Sequence, residues 1–235
     1  MQSVSPQSKR ERGEGEAPAL SLRTVNGLEI ASVVSSVLLT TWALIPLQPH
    51  QRWLTALPGL LAIGLMVHSH RVRGERPGEL GFTTRGFGRA VLLALPATLA
   101  ACALFAAIGY AAHSFHRTSN FAVNLLIVPI WGLIQQYVLQ GFMYRRLRAM
   151  LPGPPWAAIL SAAAIFALVH APNLPLVALT FCGALIWCGI YERAPNLYAL
   201  ALSHAAISIT LMSSLPPWLL ESMSVGYKHF LYRKF

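Results

Sequence analysis

The chain contains no aspartate, and every one of its acidic residues is a glutamate. Charge of either sign is scarce: 11% of residues are charged, against 55% that are hydrophobic. A soluble domain carries about 25% charged residues, so this composition excludes an ordinary water-soluble protein. Cysteine is sparse too. Cys102, Cys182 and Cys188 lie in apolar runs without a Cys-x-x-Cys pair, which excludes a cysteine-type metal motif, and they read as small buried apolar residues. There is no glycine-rich phosphate loop and no internal repeat.

What is present is basic charge between long apolar runs. Lys and Arg number 18 against 8 Glu, for a net charge of +10, and the mean hydropathy is +0.53. The cations sit between the runs and at the tail. That placement argues against a nucleic-acid partner, which would call for one basic face, and for topology control with contact to anionic membrane lipid. The runs cover 28–47, 53–69, 90–113, 121–144, 156–171, 174–191 and 196–215. Most approach the roughly 20 residues that cross a hydrocarbon core. The expected architecture is an all-α, polytopic transmembrane helix bundle of about seven to eight spans.

Residues 1–27 are polar and read as a disordered cytoplasmic tail; the first apolar run starts too late and runs too long for a signal peptide. Residues 28–215 form the bundle. Residues 216–235 read as an interfacial segment or an additional crossing. Loop arginines fall on alternate connections, which puts the N-terminus in the cytoplasm by the positive-inside rule.

Polar side chains inside such helices are costly and face the bundle interior or a wet cavity. Gln136 and Gln140 are four apart and share a helix face, as do Phe166 and His170, and His204 and Ser208. Gln135 sits beside Gln136, turned by roughly 100°. Counted from the cytoplasmic side, Gln136 and His204 each lie about 12 Å deep, which allows one shared polar pocket. Taken singly, each histidine reads equally well as a hydrogen-bonded packing residue. His68, His70, His113 and His116 lie at span ends and read as interfacial.

Three segments in order, "QQYVLQG" from Gln135, "FALVH" from Phe166 and "HAAIS" from His204, give the chain a recognisable layout. It resembles the CPBP (Abi) family, the intramembrane CAAX-type prenyl endopeptidases and bacteriocin-processing or self-immunity proteins. That family carries Glu-Glu-x-x-x-Arg, then Phe-x-x-x-His, then His-x-x-x-Asn or Asp. The likeness covers roughly residues 74–213. It implies hydrolysis of a peptide bond at membrane depth, a membrane or lipidated peptide as ligand, and a bacterial inner-membrane location. It also implies roles. A glutamate and a histidine activate water, a second histidine and the Asn stabilise the oxyanion, and the second glutamate and the arginine organise the site. His170 and His204 are retained, and Phe166 keeps its packing position. Gln135, Gln136, Gln140 and Ser208 stand at the Glu, Glu, Arg and Asn positions. No cofactor is assigned. His170 and His204 are the only metal-ligand candidates, and two histidines without an acid are not a complete zinc set.

An amide accepts no proton at neutral pH, so Gln135 does not serve as the general base, a loss of about 100- to 10,000-fold. The other exchanges are mutually consistent. A lone buried charge left by losing one partner of a Glu–Arg pair costs several kcal/mol, whereas Gln136 and Gln140 are both neutral and are expected to hydrogen-bond to each other. Glu192 and Glu221 are the nearest carboxylates that could stand in, if either folds back. The expected function is therefore that of a CAAX-protease-like endopeptidase with impaired hydrolysis. The alternatives are a catalytically inactive membrane-binding, immunity or assembly partner on the same bundle, an endopeptidase using His170 or His204 as base, and a transporter subunit.

Overall fold

The computed structural model describes residues 20–47, 52–116, 120–216 and 218–232. Most of the expected N-terminal tail, residues 1–19, lies outside them. The first helix begins at Leu22, six residues before the expected start, because Ser21 caps it: its hydroxyl accepts from the Thr24 amide at 3.2 Å. The helices are α1 (Leu22–Leu44), α2 (Trp53–Val72), α3 (Phe87–Ala111), α4 (Phe121–Met150), α5 (Trp156–Leu168), α6 (Leu174–Arg193), α7 (Leu197–Ser214) and the short α8 (Tyr227–Tyr232). No strand occurs among the described residues.

Six of these helices, all but α5 and α8, are long and apolar enough to cross a membrane. Their outward faces carry Leu61, Leu92 and Leu126, each at least 70% exposed. Such surfaces suit hydrocarbon rather than water, and the molecule is a polytopic helical bundle. The 13 residues of α5 cover only about 20 Å. Asn173 and Asn196 start α6 and α7, their side-chain oxygens accepting from the amides of Leu176 and Ala199.

The centre of the bundle is α7, packed between α3 and α4, while α5 lies along α6 and α1 along α2. The passes alternate, which leaves two ends. At one end the tip of α2, the 73–86 segment and the C-terminal turn of α4 converge on α1. Arg146, only 3% exposed, is the centre of that junction. Its guanidinium donates to Glu29 (3.0 Å), Glu75 (2.8 Å) and Ser69 (3.0 Å). Arg73 also pairs with Glu29, and Arg145 with Glu75. His70 shares Glu75 through Nδ1 at 2.7 Å. This corrects the expectation that His70 is interfacial: it is buried, and so is one of the three arginines that the charge pattern assigned to a solvated loop. Burial by itself would raise the Glu75 carboxyl. Hydrogen bonds from Arg146, Arg145 and His70 outweigh it and hold the group at about 2, below its ordinary 4.5.

The same 73–86 segment then crosses the ends of α6 and α7. Tyr191 donates to the Leu80 carbonyl (2.9 Å), the Leu197 amide to Gly81 (2.9 Å) and the Asn196 amide group to Thr83 (2.6 Å). Phe82 packs on Tyr137.

At the opposite end the C-terminal segment folds back. Among the described residues of this segment no helix is long enough for the additional crossing that the sequence allowed: α8 has six residues, about 9 Å. Instead Asn173 donates to the carbonyls of Leu220 (2.7 Å) and Ser224 (3.2 Å), and the Gly226 amide to Ala171 (2.9 Å). Phe230 meets Trp42 of α1 with ring centroids 6.1 Å apart. Gly226 has φ +56, and a Cβ there would lie 2.6 Å from the Thr41 carbonyl oxygen, so only glycine fits.

Candidate functional site

All three quoted segments fall on α4, the end of α5, and α7. On α4 the winding changes at the first of them: Tyr137–Tyr144 is π-helical, between α-helical turns on either side. Such bulges recur at functional sites, and here the i→i+5 pattern alters which side chains share a face. The expected Gln136–Gln140 hydrogen bond is not made. Gln136, 1% exposed, meets Nδ1 of His204 through its amide at 3.2 Å. Gln140, fully buried, turns to the Cys188 thiol, with its amide nitrogen 4.0 Å from Sγ. One amide oxygen on each, Oε1, is buried without a partner.

The approach of α7 to α4 depends on Gly132, one turn before Gln136. A Cβ there would stand 3.3 Å from the Ala201 carbonyl oxygen and 3.7 Å from the His204 Cβ. The His204 ring is stacked on Trp187 of α6, with centroids 4.7 Å apart and planes 7° from parallel. Trp187 donates its indole N–H to Ser203 (3.1 Å), and Ser203 bonds Thr98 of α3 (2.7 Å).

His170 lies just past the end of α5. Its Nδ1 bonds the Phe166 carbonyl at 2.7 Å and its ring packs edge-on against Phe166 at 5.1 Å. A carbonyl only accepts, so neutral His170 holds its proton on Nδ1 and presents a bare lone pair at Nε2.

The structure thus joins Gln136 to His204, turns His170 back onto Phe166 of its own segment, and sends Gln140 to a different neighbour. Gln135 and Ser208 are half-buried and make no hydrogen bond to either imidazole among the described residues. Every described carboxylate has a partner of its own. Glu29 and Glu75 are held by arginines, Glu79 caps the Arg76 amide, Glu192 accepts from Tyr144 and pairs with Arg148, and Glu221 pairs with His229. Among the described residues no three His, Cys or Glu side chains converge to hold a metal ion. The described donor set therefore does not fit a complete metal site.

Sequence reasoning missed Trp187, Gly132 and the Thr98–Ser203 pair. Only a faint signal pointed to them: an indole, a hydroxyl and a glycine in the interior of apolar runs, each with a polar atom or a gap to be used.

These features define a class: a polytopic helical membrane protein with a buried amide meeting a half-buried imidazole between two helices. Residues 117–210, which contain all three segments, match the family model described as type II CAAX prenyl endopeptidase, Rce1-like. The matched stretch is therefore Rce1-like, in agreement with the motif order. Searches of curated proteins and of solved structures gave no match.

Proposed function

We propose that the protein is a membrane-embedded relative of the CAAX endopeptidases that binds a membrane or lipidated peptide and hydrolyses it poorly or not at all. One observation carries this reading. Amides stand at both positions where the resemblance calls for a glutamate: Gln135, at the water-activating position, bonds neither imidazole, Gln136, at the organising position, meets His204 at 3.2 Å, and every described carboxylate is engaged elsewhere. An amide keeps the shape and one hydrogen bond of a carboxylate but not its basicity. A water placed beside Gln135 would find no proton acceptor there. The orphan oxygens of Gln136 and Gln140 are acceptors that a peptide N–H could satisfy. A cytoplasmic N-terminus is supported by the gathering of Arg73, Arg145, Arg146 and Arg148 at the end where α1 begins, through the positive-inside rule, and a bacterial inner membrane is the location that the resemblance implies.

The test uses full-length protein in proteoliposomes with a prenylated C-terminal peptide. Wild type is expected to bind the peptide with cleavage at background. Gln135→Glu, combined with Gln136→Glu and Gln140→Arg, is expected to raise cleavage by about 100-fold or more. Wild-type cleavage that disappears in His170→Ala would overturn the reading. It would instead support a second one, favoured by the bare Nε2 of His170, in which that imidazole is the base and Gln135 orients water. On that reading the triple restoration leaves activity unchanged or lower.

A further inference from the structure

Trp187 is the largest side chain in contact with the site that the reading above leaves without a role. It is 6% exposed and sits on α6, which contributes none of the three motif segments. Its surroundings form a chain of hydrogen bonds whose direction can be worked out. The Thr98 hydroxyl donates to the Ala94 carbonyl at 2.8 Å, and a carbonyl cannot donate back. The Thr98 oxygen is therefore free to accept only from Ser203, at 2.7 Å. Ser203 has then spent its single proton, and its remaining lone pairs face the indole N–H of Trp187 at 3.1 Å. Each donor finds an acceptor, and the chain ends on a group that only donates. Three helices, α3, α7 and α6, are tied together by it at the level of His204.

The consequence falls on the imidazole. A ring has two rotational settings to fix, its plane and its flip within that plane. The stack on Trp187, parallel to within 7° at 4.7 Å, fixes the plane. The contact from Nδ1 to Gln136 at 3.2 Å fixes the flip. Gln136 alone does not hold the plane, since an amide tolerates a tilted partner.

We propose that Trp187 is a positioning residue for His204, anchored through Ser203 to Thr98, and that this anchor holds the imidazole in the one orientation in which the Gln136 amide N–H donates to Nδ1 and so fixes a single tautomer, with the proton on Nε2 and Nε2 directed away from Gln136. That Nε2 then serves the bound peptide rests on the peptide-site reading above; the orientation itself does not. A Glu or a Gln at position 136 would both use this support, so the device serves hydrolytic and non-hydrolytic versions of the site alike.

The experiment is nitrogen-15 NMR of the histidine ring nitrogens in full-length protein in lipid nanodiscs, without peptide, with His204 assigned by His204→Gln. Wild type is expected to give one neutral tautomer for His204. Thr98→Val keeps the side-chain shape but removes the acceptor at the foot of the chain, and Trp187→Leu removes the stack. Both are expected to abolish the single-tautomer signal of His204. His170, held by the Phe166 carbonyl, is the internal control and keeps its signal in both. An unchanged His204 signal in both variants, with a lowered melting temperature, would make Trp187 a packing residue and overturn the proposal. So would His170 and His204 changing together. Because no ligand is present, a failure of the peptide-site reading leaves this result untouched, and an unchanged signal defeats this proposal whether or not peptide binds.

Discussion

Gly132 shows how much of the site rests on a residue with no chemistry of its own. Its missing Cβ lets the Ala201 carbonyl and His204 lie against α4. Gly132→Leu is expected to push α7 away and break the Gln136–His204 contact. Peptide binding measured by fluorescence anisotropy should then fall, and the His204 ring signal should change with it, while helix content by circular dichroism stays near wild type. At this scale the motif positions stood out in the sequence because an amide or imidazole is costly in an apolar run, and of the pairings the sequence allowed the structure makes the one between Gln136 and His204. Gly132 and Trp187 were not, because a small or aromatic residue in a membrane span is ordinary. The Gln136–Gln140 expectation failed for a different reason. It assumed α-helical spacing, and hydropathy carries no sign of a π-turn.

At the scale of elements, the junction around Arg146 joins α1, α2, α4 and the 73–86 segment. The positions it unites are far apart in sequence: Arg146 is 117 residues from Glu29 and 77 from Ser69. Charge counting along the chain placed these arginines at a membrane face, and the structure gathers them at one end, but no local pattern foretold that one would be buried. Removing one partner of a buried ion pair costs about 3–5 kcal/mol, so Arg146→Met is expected to lower the melting temperature markedly in detergent. The pH dependence follows from Glu75, whose carboxyl titrates at about 2 when folded and at 4.5 ordinarily. A depressed folded value means the stabilisation is complete above about pH 4.5 and is lost as pH falls toward 2. Glu75→Gln should therefore be less stable than wild type at pH 6, with the gap in melting temperature closing between pH 4.5 and 2.5. A gap that stays constant through that window would show that the carboxylate charge is not what holds the segment.

At the scale of the whole molecule, the all-helical membrane bundle was the most legible feature, since composition and run length alone exclude the alternatives. What they could not give was the packing of residues 218–232. Their hydropathy allowed a crossing, and in the structure these residues meet α1 and the start of α6. Gly226→Val is expected to detach that segment, because its Cβ would collide with the Thr41 carbonyl. Limited proteolysis should then release the C-terminus, with α1–α7 left protected. The carboxamide of Asn173 gives this arrangement a meaning in time. Its nitrogen is sealed from solvent and satisfied only by the carbonyls of Leu220 and Ser224. While the chain is being synthesised, that group stays without these acceptors until residues 220–224 have been made, so the start of α6 is completed by chain laid down about fifty residues later.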